Sequence, residues 1–157
     1  VRLIETTVQV NDARKKAMAD RVAQALPAGL KGKTVALLGL TFKPNTDDMR
    51  DAPSLDIVPA LQAAGAKVVA FDPEGMTEAG HLLKDVTFAK TAHEAAAGAD
   101  VLVVITEWHE FRGLDPRRLK ATMRQPRIVD LRNIFDPEEM RSLGFAYEGV
   151  GRPGPRS

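Results

Sequence analysis

Hydrophobic positions recur with a helical period in the first 27 residues of the chain. The apolar side chains of this stripe are Ile4, Val8, Met18, Val22 and Leu26. Charged residues such as Arg14 and Asp20 fall mostly outside the stripe, and Pro27 ends the pattern. The segment is therefore predicted to be a long amphipathic helix, whose apolar stripe packs either on its own domain or against a partner chain.

After this helix, short apolar runs alternate with helical segments. Several of the runs are apolar almost throughout, which is typical of parallel strands that are buried on both faces. The predicted strands are 34–40, 66–73, 86–88, 100–106, 127–131 and 145–151, and the predicted helices are 52–65, 91–99, 114–123 and 136–144. This alternation predicts an α/β fold with a doubly wound, Rossmann-like parallel sheet and helices on both faces.

The pattern divides the chain into three parts. Residues 1–27 form the predicted connecting or dimerisation helix, residues 28–151 form the sheet domain, and the tail 152–157, Arg-Pro-Gly-Pro-Arg-Ser, is expected to be flexible. Asp51 is the predicted N-cap of the helix 52–65. Because the chain starts with Val1 and opens in the middle of a helical pattern, we expect it to be part of a longer protein.

Composition and charge exclude several classes of protein. The chain has 157 residues, of which 44% are hydrophobic and 27% charged, as in a soluble globular domain. Its 22 basic and 21 acidic residues give a formal net charge of +1, so no overall field attracts nucleic acid or an anionic membrane. No apolar run approaches the roughly 20 residues of a membrane helix, and a cytoplasmic location is expected. Because the net charge is close to zero, any anion-binding site must be formed by a local group of cations.

Cysteine and histidine usage limits the chemistry further. The sequence has no cysteine, which excludes disulfides, thiolate metal ligands and a cysteine nucleophile within this chain. The three histidines have no metal-binding spacing, and no metal site is predicted.

The loop after the first predicted strand is the strongest candidate for a ligand site. In an open parallel sheet, ligands bind at the carboxyl ends of the strands, often on a glycine-rich G-x-G-x-x-G turn. This loop reads Gly-Leu-Thr-Phe-Lys-Pro-Asn-Thr-Asp-Asp-Met-Arg and keeps only Gly39. It offers instead two cations, Lys43 and Arg50, and the aromatic surface of Phe42. The alternative is a solvated loop whose cations pair with neighbouring aspartates such as Asp48.

Residues after three other strands are weaker candidates. Asp72 stands where a ribose-binding carboxylate is found in dinucleotide-binding domains, although Asp-Pro also opens turns. Glu107 and Trp108 follow another strand, and Trp108 either lines a base or sugar pocket or packs in the core. Arg132 follows the strand 127–131 and is either solvated or faces the same edge as Lys43.

Four stretches carry a resemblance to a known family. They are GKTVALLGLTFKPNTDDMRDAPSLDIV, FDP, VLVVITEWHEF and IVDLRNIFDP. Together they closely resemble the C-terminal part of the UDP-glucose/GDP-mannose dehydrogenase family, and within it the bacterial UDP-glucose 6-dehydrogenases. The leading helix resembles the end of the long central helix that joins the two Rossmann-like domains of that family.

The resemblance implies a function for the candidate residues. Enzymes of the family carry out two successive NAD-dependent oxidations of the C6 alcohol of a nucleotide sugar, through a cysteine-bound intermediate. By resemblance, Phe42 and Lys43 contact the UDP-sugar, Arg132 contacts its UDP portion, and Arg50 reaches toward the NAD pyrophosphate. Relatives commonly have glycine at the position of Leu131, so the resemblance leaves the backbone beside Arg132 to be established.

The resemblance also says which parts are elsewhere. The family's N-terminal domain binds NAD and its central region supplies much of a homodimer contact, whereas the nucleophilic cysteine lies upstream of the stretch seen here. We therefore expect this chain to be catalytically inactive alone. A dehydrogenase of another nucleotide sugar (UDP-N-acetylmannosamine or GDP-mannose), a free-standing nucleotide-binding module and an oligomerisation module remain alternatives.

Overall fold

The structure is a computed structural model that describes residues 17–18, 20–26, 29–41 and 43–149. Within these residues, six strands form one sheet in the order β3-β2-β1-β4-β5-β6. The strands are β1 Thr34–Leu38, β2 Lys67–Phe71, β3 Val86–Phe88, β4 Val101–Val104, β5 Arg127–Asp130 and β6 Ala146–Gly149. Every neighbouring pair is parallel. The predicted doubly wound α/β fold is thus confirmed, and the strand order reverses between β1 and β4.

Helices connect the strands on both faces of the sheet. They are α1 Ser54–Ala63, α2 Met76–Leu82, α3 Ala92–Ala96, α4 His109–Arg112, α5 Pro116–Thr122 and α6 Pro137–Ser142. The sequence pattern did not predict α2 or α4. Only Ala79 is buried in α2 and only Phe111 in α4, so neither helix has an apolar stripe that a periodicity can detect.

The start of α1 differs from the prediction. Pro53 is the N-cap residue and makes no side-chain capping hydrogen bond. Asp51, the predicted cap, lies two residues further out with a φ of 56°. The prediction was wrong because Pro53 has the helical φ that the first turn needs, which leaves Asp51 outside the helix.

Alternating strand residues divide the core into two layers, one on each face of the sheet. Val35, Leu37, Val101 and Val103 pack with Ile57, Val58 and Leu61 of α1 on the first face. Ala36, Leu38, Leu102 and Val104 pack with α3, α5 and α6 on the second. Because the central strands are buried on both faces, their sequences are continuously apolar.

The described end of the N-terminal segment packs on the first face. Val22 is fully buried and Leu26 is 4% exposed within that core layer. Arg21 donates to the carbonyl of Gly149 at 2.8 Å, and Arg127 donates to the carbonyl of Ala25 at 2.9 Å. Packing on its own domain is therefore what the structure finds for this end of the helix. The predicted helix within 1–16 and the predicted flexible tail 152–157 lie outside the described residues.

The described residues contain neither a membrane-spanning helix nor a cluster of metal ligands. Across the described ranges, no helix has the length and apolar character that crossing a bilayer requires. In the same part of the chain, no group of three or more His, Asp or Glu side chains is arranged to hold a metal ion.

Candidate functional site

A buried carboxylate organises the start of the loop after β1. Asp72, which follows β2, is fully buried. One of its oxygens accepts hydrogen bonds from the backbone N–H groups of Leu40 (2.7 Å) and Thr41 (3.2 Å), and the other accepts from those of Glu74 (2.9 Å) and Gly75 (2.7 Å). A carboxylate with this many donors has no capacity left for a ribose. Asp72 is therefore a turn anchor and not a ribose ligand.

Trp108 belongs to the same buried network. Its side chain is 6% exposed and lies in the core layer of the second face. Its indole N–H donates to Asp72 at 3.2 Å, which satisfies the only polar group of the ring. Trp108 thus packs in the core and does not line an open pocket.

Side chains from α1 and from the end of β4 hold the loop backbone from the other side. The hydroxyl of Ser54 donates to the carbonyl of Leu40, and that of Thr106 donates to the carbonyl of Thr41, both at 2.6 Å. At Gly39, φ is 91° and a Cβ atom would come within 2.5 Å of Thr106. Glycine is required here for close packing against Thr106 and for its φ, not to approach a ligand.

The middle of the loop returns to the core at one residue. Asn45 and Asp51 have φ values of 65° and 56°, in the left-handed region. Between them, Met49 is 5% exposed and packs in the first core layer, while the hydroxyl of Thr46 accepts from the N–H of Asp48 at 3.1 Å. Lys43 is exposed. Phe42, a predicted site residue, lies outside the described residues.

Arg50 is paired within its own loop. Its Nε and Nη2 atoms donate to the two carboxylate oxygens of Asp48 at 3.1 and 3.0 Å, and its backbone N–H donates to the same carboxylate at 2.9 Å. These hydrogen bonds lower the pKa of Asp48 and raise that of Arg50. The Arg50 side chain is still 90% exposed. Arg50 thus follows the second interpretation of the sequence, in which the charges of this loop pair with one another.

Arg132 is paired across the sheet edge instead. Its Nε donates to a carboxylate oxygen of Glu107, a residue 25 positions away that follows β4. This hydrogen bond lowers the pKa of Glu107, although partial burial of the carboxyl acts in the opposite direction. The two side chains are 36% and 28% exposed. Arg132 is thus held at the carboxyl edge of the sheet.

The backbone beside Arg132 is regular at Leu131. Leu131 is not among the residues with positive φ, its N–H donates to the carbonyl of Val104 at 3.0 Å, and its side chain is 6% exposed. A leucine at this position is therefore accommodated without left-handed strain. The left-handed residue of this loop is Asn133, with a φ of 55°.

A second buried aspartate, which the sequence analysis did not single out, anchors this loop. Asp130 is fully buried and accepts from the backbone N–H of Arg132 at 3.1 Å and of Phe135 at 3.0 Å. The hydroxyl of Tyr147 donates to it at 2.7 Å. The sequence signal that could have identified it is an aspartate at the end of an apolar strand, as Asp72 is at the end of the predicted strand 66–73.

The predicted cations Lys43, Arg50 and Arg132 therefore lie at the same edge of the sheet, but in two loops that are separated by the width of one strand. Lys43 and Arg50 follow β1 and Arg132 follows β5, with β4 between the two strands. In the described part of the chain, no ion pair links Lys43 to an acidic residue. Beside the loop lies an open groove of about 750 Å³. It is lined by Thr46, Asp47, Asp48, Met49, Arg50, Leu55, Glu78 and Leu82.

The residues present do not fit a dinucleotide cofactor as a whole. The loop after β1 has no glycine cradle, and the carboxylate at the end of β2 is consumed by backbone donors. Side-chain cations at the edge suit a different phosphate-bearing ligand, since Arg and Lys can bind phosphate oxygens directly.

Comparison with known proteins identifies the family. Residues 36–137 match the family model described as the UDP-glucose/GDP-mannose dehydrogenase family, UDP binding domain. The chain belongs to this family. It is 56% identical over 153 residues to the UDP-glucose 6-dehydrogenase of Rhizobium meliloti (strain 1021), covering 98% of this chain and 35% of that protein. It is 37% identical to UDP-glucose 6-dehydrogenase TuaD of Bacillus subtilis (strain 168), covering 99% and 34% of the two chains.

Solved structures of sugar-nucleotide dehydrogenases have the same fold as this chain. The NDP-N-acetyl-D-galactosaminuronic acid dehydrogenase of Methanosarcina mazei Go1 superposes with a TM-score of 0.81 at 29% identity, over 93% of this chain and 31% of that one. A UDP-glucose dehydrogenase of Pyrobaculum islandicum gives 0.72 at 30% identity, over 88% and 30%. This chain spans about a third of the length of the curated relatives that it matches.

Proposed function

We propose that this chain is the C-terminal, UDP-sugar-binding part of a UDP-glucose 6-dehydrogenase, an enzyme that oxidises UDP-glucose to UDP-glucuronate with two NAD. The observation that carries the proposal is the carboxyl edge of the sheet, where side-chain cations stand in place of a glycine cradle, in a chain of this family. A nucleotide diphosphate needs charge-assisted hydrogen bonds, and Lys and Arg supply them without close backbone approach.

Each predicted site residue has a role in this proposal. Lys43, exposed and without an ion pair in the described part of the chain, meets the sugar or phosphate end of the substrate. Phe42, which precedes it in the sequence, is proposed to contact the substrate as well. Arg132, held at the edge by Glu107, meets the UDP portion. Arg50 turns from Asp48 toward the NAD pyrophosphate when the nucleotide-binding domain faces this loop. The role of the chain is to bind and orient the substrate.

The hydride transfers and the covalent intermediate belong to the rest of the enzyme. This chain has no cysteine to form a thioester, and its own loops do not fit NAD as a whole. We propose that NAD binds mainly on an N-terminal domain, that the long helix contributes to a homodimer, and that the enzyme acts in the cytoplasm to supply UDP-glucuronate for surface polysaccharide. The chain alone is then inactive in an assay of NAD reduction with UDP-glucose.

Another nucleotide sugar is the second candidate. It is favoured by the structural similarity to a dehydrogenase of an N-acetylated sugar nucleotide, which superposes better than the UDP-glucose dehydrogenase does. Titrating UDP-glucose and UDP-N-acetylmannosamine in addition to the nucleotides of the experiment below distinguishes the two.

Calorimetric titration of UDP, GDP and NAD into the chain tests the proposal. Low salt is used because screening weakens the attraction between exposed charges and a phosphate. UDP is expected to bind, and Lys43→Ala and Arg132→Ala are each expected to weaken it by about ten-fold or more, since a hydrogen bond to a charged group contributes about 1.5–3 kcal/mol. Lys84→Ala, which removes the same charge from an exposed position before β3, is the matched control. Equal binding of GDP or NAD would contradict the proposal.

A further inference from the structure

Glu107 and Arg132 come from neighbouring strands of the sheet. Val104, the last residue of β4, is in register with Asp130, the last residue of β5. Glu107 follows β4 and Arg132 follows β5, so the two side chains project from adjacent loops at the carboxyl edge of the sheet. The pair is therefore a contact that only the sheet can create.

Both ends of the contact are fixed by buried groups. The N–H of Arg132 donates to the buried Asp130 at 3.1 Å. Glu107 stands between Thr106, whose hydroxyl donates to the carbonyl of Thr41, and Trp108, whose indole donates to Asp72. Because the backbone on each side is anchored, the hydrogen bond restrains the Arg132 side chain as well.

The contact uses one corner of the guanidinium. Nε of Arg132 donates to Glu107, while among the described residues its two terminal amino groups have no hydrogen-bond partner. A guanidinium has five N–H donors in a fixed fork, so four remain for an incoming anion. Arg50 contrasts with this arrangement, because Asp48 occupies both its Nε and its Nη2.

We propose that Glu107 is a positioning residue, which holds Arg132 by its Nε and turns the terminal amino groups toward the diphosphate of the ligand. This inference rests on the proposed function. Ordering a long side chain before binding removes that entropic cost from the binding step. The negative charge of Glu107 acts in the opposite direction, since it repels a phosphate. Removal of the whole side chain and removal of its charge alone are therefore expected to have different effects.

The test compares two variants at Glu107 in titrations with inorganic pyrophosphate and with UDP. Glu107→Ala removes the acceptor and is expected to weaken both probes by about five-fold, the cost of immobilising one flexible side chain. Glu107→Gln keeps an acceptor oxygen at the same reach and is expected to bind as tightly as the wild type or more tightly. Glu110→Ala, which removes an exposed carboxylate from the same segment, is the matched control.

A double-mutant cycle separates positioning from a general structural effect. If Glu107 acts through Arg132, Glu107→Ala changes nothing in an Arg132→Ala background. The NMR signal of the Arg132 Nε–H gives a readout that needs no ligand. It is expected to exchange slowly with water in the wild type and at least ten-fold faster in Glu107→Ala.

Several outcomes would overturn the proposal. Tighter or unchanged binding in Glu107→Ala would mean that Glu107 competes with the ligand or does not act on it. Weakening that persists without Arg132 would mean a structural role. If the wild type binds pyrophosphate and not UDP, the proposed function fails, and the pyrophosphate series still decides the role of Glu107. A wild type that binds neither probe overturns both.

Discussion

Two arginines at the carboxyl edge of the sheet are held by carboxylates in different ways. Arg50 and Asp48 are two residues apart in one loop, and the pair is solvent-exposed at the arginine, which is 90% accessible. Arg132 and Glu107 come from different strands, and their side chains are 36% and 28% exposed. Arg50 can therefore exchange Asp48 for another anion with little change in the rest of the structure. The Arg132–Glu107 pair instead links the loops that follow two neighbouring strands at the carboxyl edge of the sheet.

The bases of the two loops are more alike than their tips. Asp72 and Asp130 are each fully buried, each ends or follows a strand, and each accepts hydrogen bonds from backbone N–H groups of the loop and from a buried aromatic side chain. In both loops, the base is therefore anchored by a buried aspartate that accepts hydrogen bonds from the loop backbone and from an aromatic side chain. The two loops differ in how strongly the arginine side chain is restrained, since Arg50 is far more exposed than Arg132.

The largest expected effect tests the shared base. Asp72→Ala leaves four backbone N–H groups and the Trp108 indole without their acceptor. Asp130→Ala does the same to two backbone N–H groups and the Tyr147 hydroxyl. Each variant is expected to lower the free energy of unfolding by about 3–5 kcal/mol. Asp47→Ala, at an exposed position of the loop after β1, is the control and is expected to have no measurable effect. Urea denaturation measures all three. A mild loss in only one aspartate variant would show that the two bases are not equivalent.

The next effect tests the packing beneath Arg132. Leu131→Ala removes a side chain that is 6% exposed in the first core layer, and is expected to cost about 3 kcal/mol of unfolding free energy. Leu82→Ala removes the same atoms at a position that is 55% exposed, and should cost far less. Thermal and urea unfolding check the difference. If Leu131→Ala were harmless, the leucine would not be what supports the Arg132 loop.

A smaller effect separates the two cations in binding. Arg132→Ala is expected to weaken UDP by roughly ten- to hundred-fold, the contribution of a charged hydrogen bond to phosphate. Arg50→Ala is expected to leave UDP affinity nearly unchanged in this chain, because its proposed ligand is the NAD pyrophosphate. Calorimetry with UDP measures both. A loss of UDP binding in Arg50→Ala equal to that in Arg132→Ala would remove the distinction between the two sites.

The smallest effect concerns how the two carboxyls titrate. The ordinary pKa values are 3.8 for Asp48 and 4.5 for Glu107, and both are lowered by hydrogen bonds from arginine. A lowered folded pKa means that each pair contributes stability that is present above these ordinary values and is lost as the pH falls through the folded pKa. At about 1 M salt the Debye length is about 3 Å, so the more exposed Asp48–Arg50 pair should lose more of its shift than Glu107 does.

NMR titration of the side-chain carboxyl carbons at low and high salt checks this ordering. Arg132→Ala should return the pKa of Glu107 toward its ordinary value and leave that of Asp48 alone. Equal salt sensitivity of the two carboxyls would contradict the distinction between an exposed pair and an edge pair.

Several features of the fold were predictable because they depend on local patterns. All six strands were located from the sequence, and the central strands β1, β4 and β5 gave the clearest signal because strands buried on both faces are apolar almost throughout. Short helices with one buried residue, such as α2, were missed because they carry no periodicity. The cap at Asp51 was predicted wrongly because the preference for aspartate competed with the fixed φ of Pro53.

The sequence by itself determined the fold class, the edge of the sheet that carries Lys43, Arg50 and Arg132, and the possibility that Arg50 pairs with a carboxylate two residues away. It could not decide which carboxylate holds Arg132, because Glu107 is 25 residues distant and becomes its neighbour only when β4 and β5 pair in register. Nor could it decide that Asp72 is a backbone anchor and not a ribose ligand. The number of donors around a buried carboxylate is a property of the assembled loops, and only the tertiary structure brings those donors together.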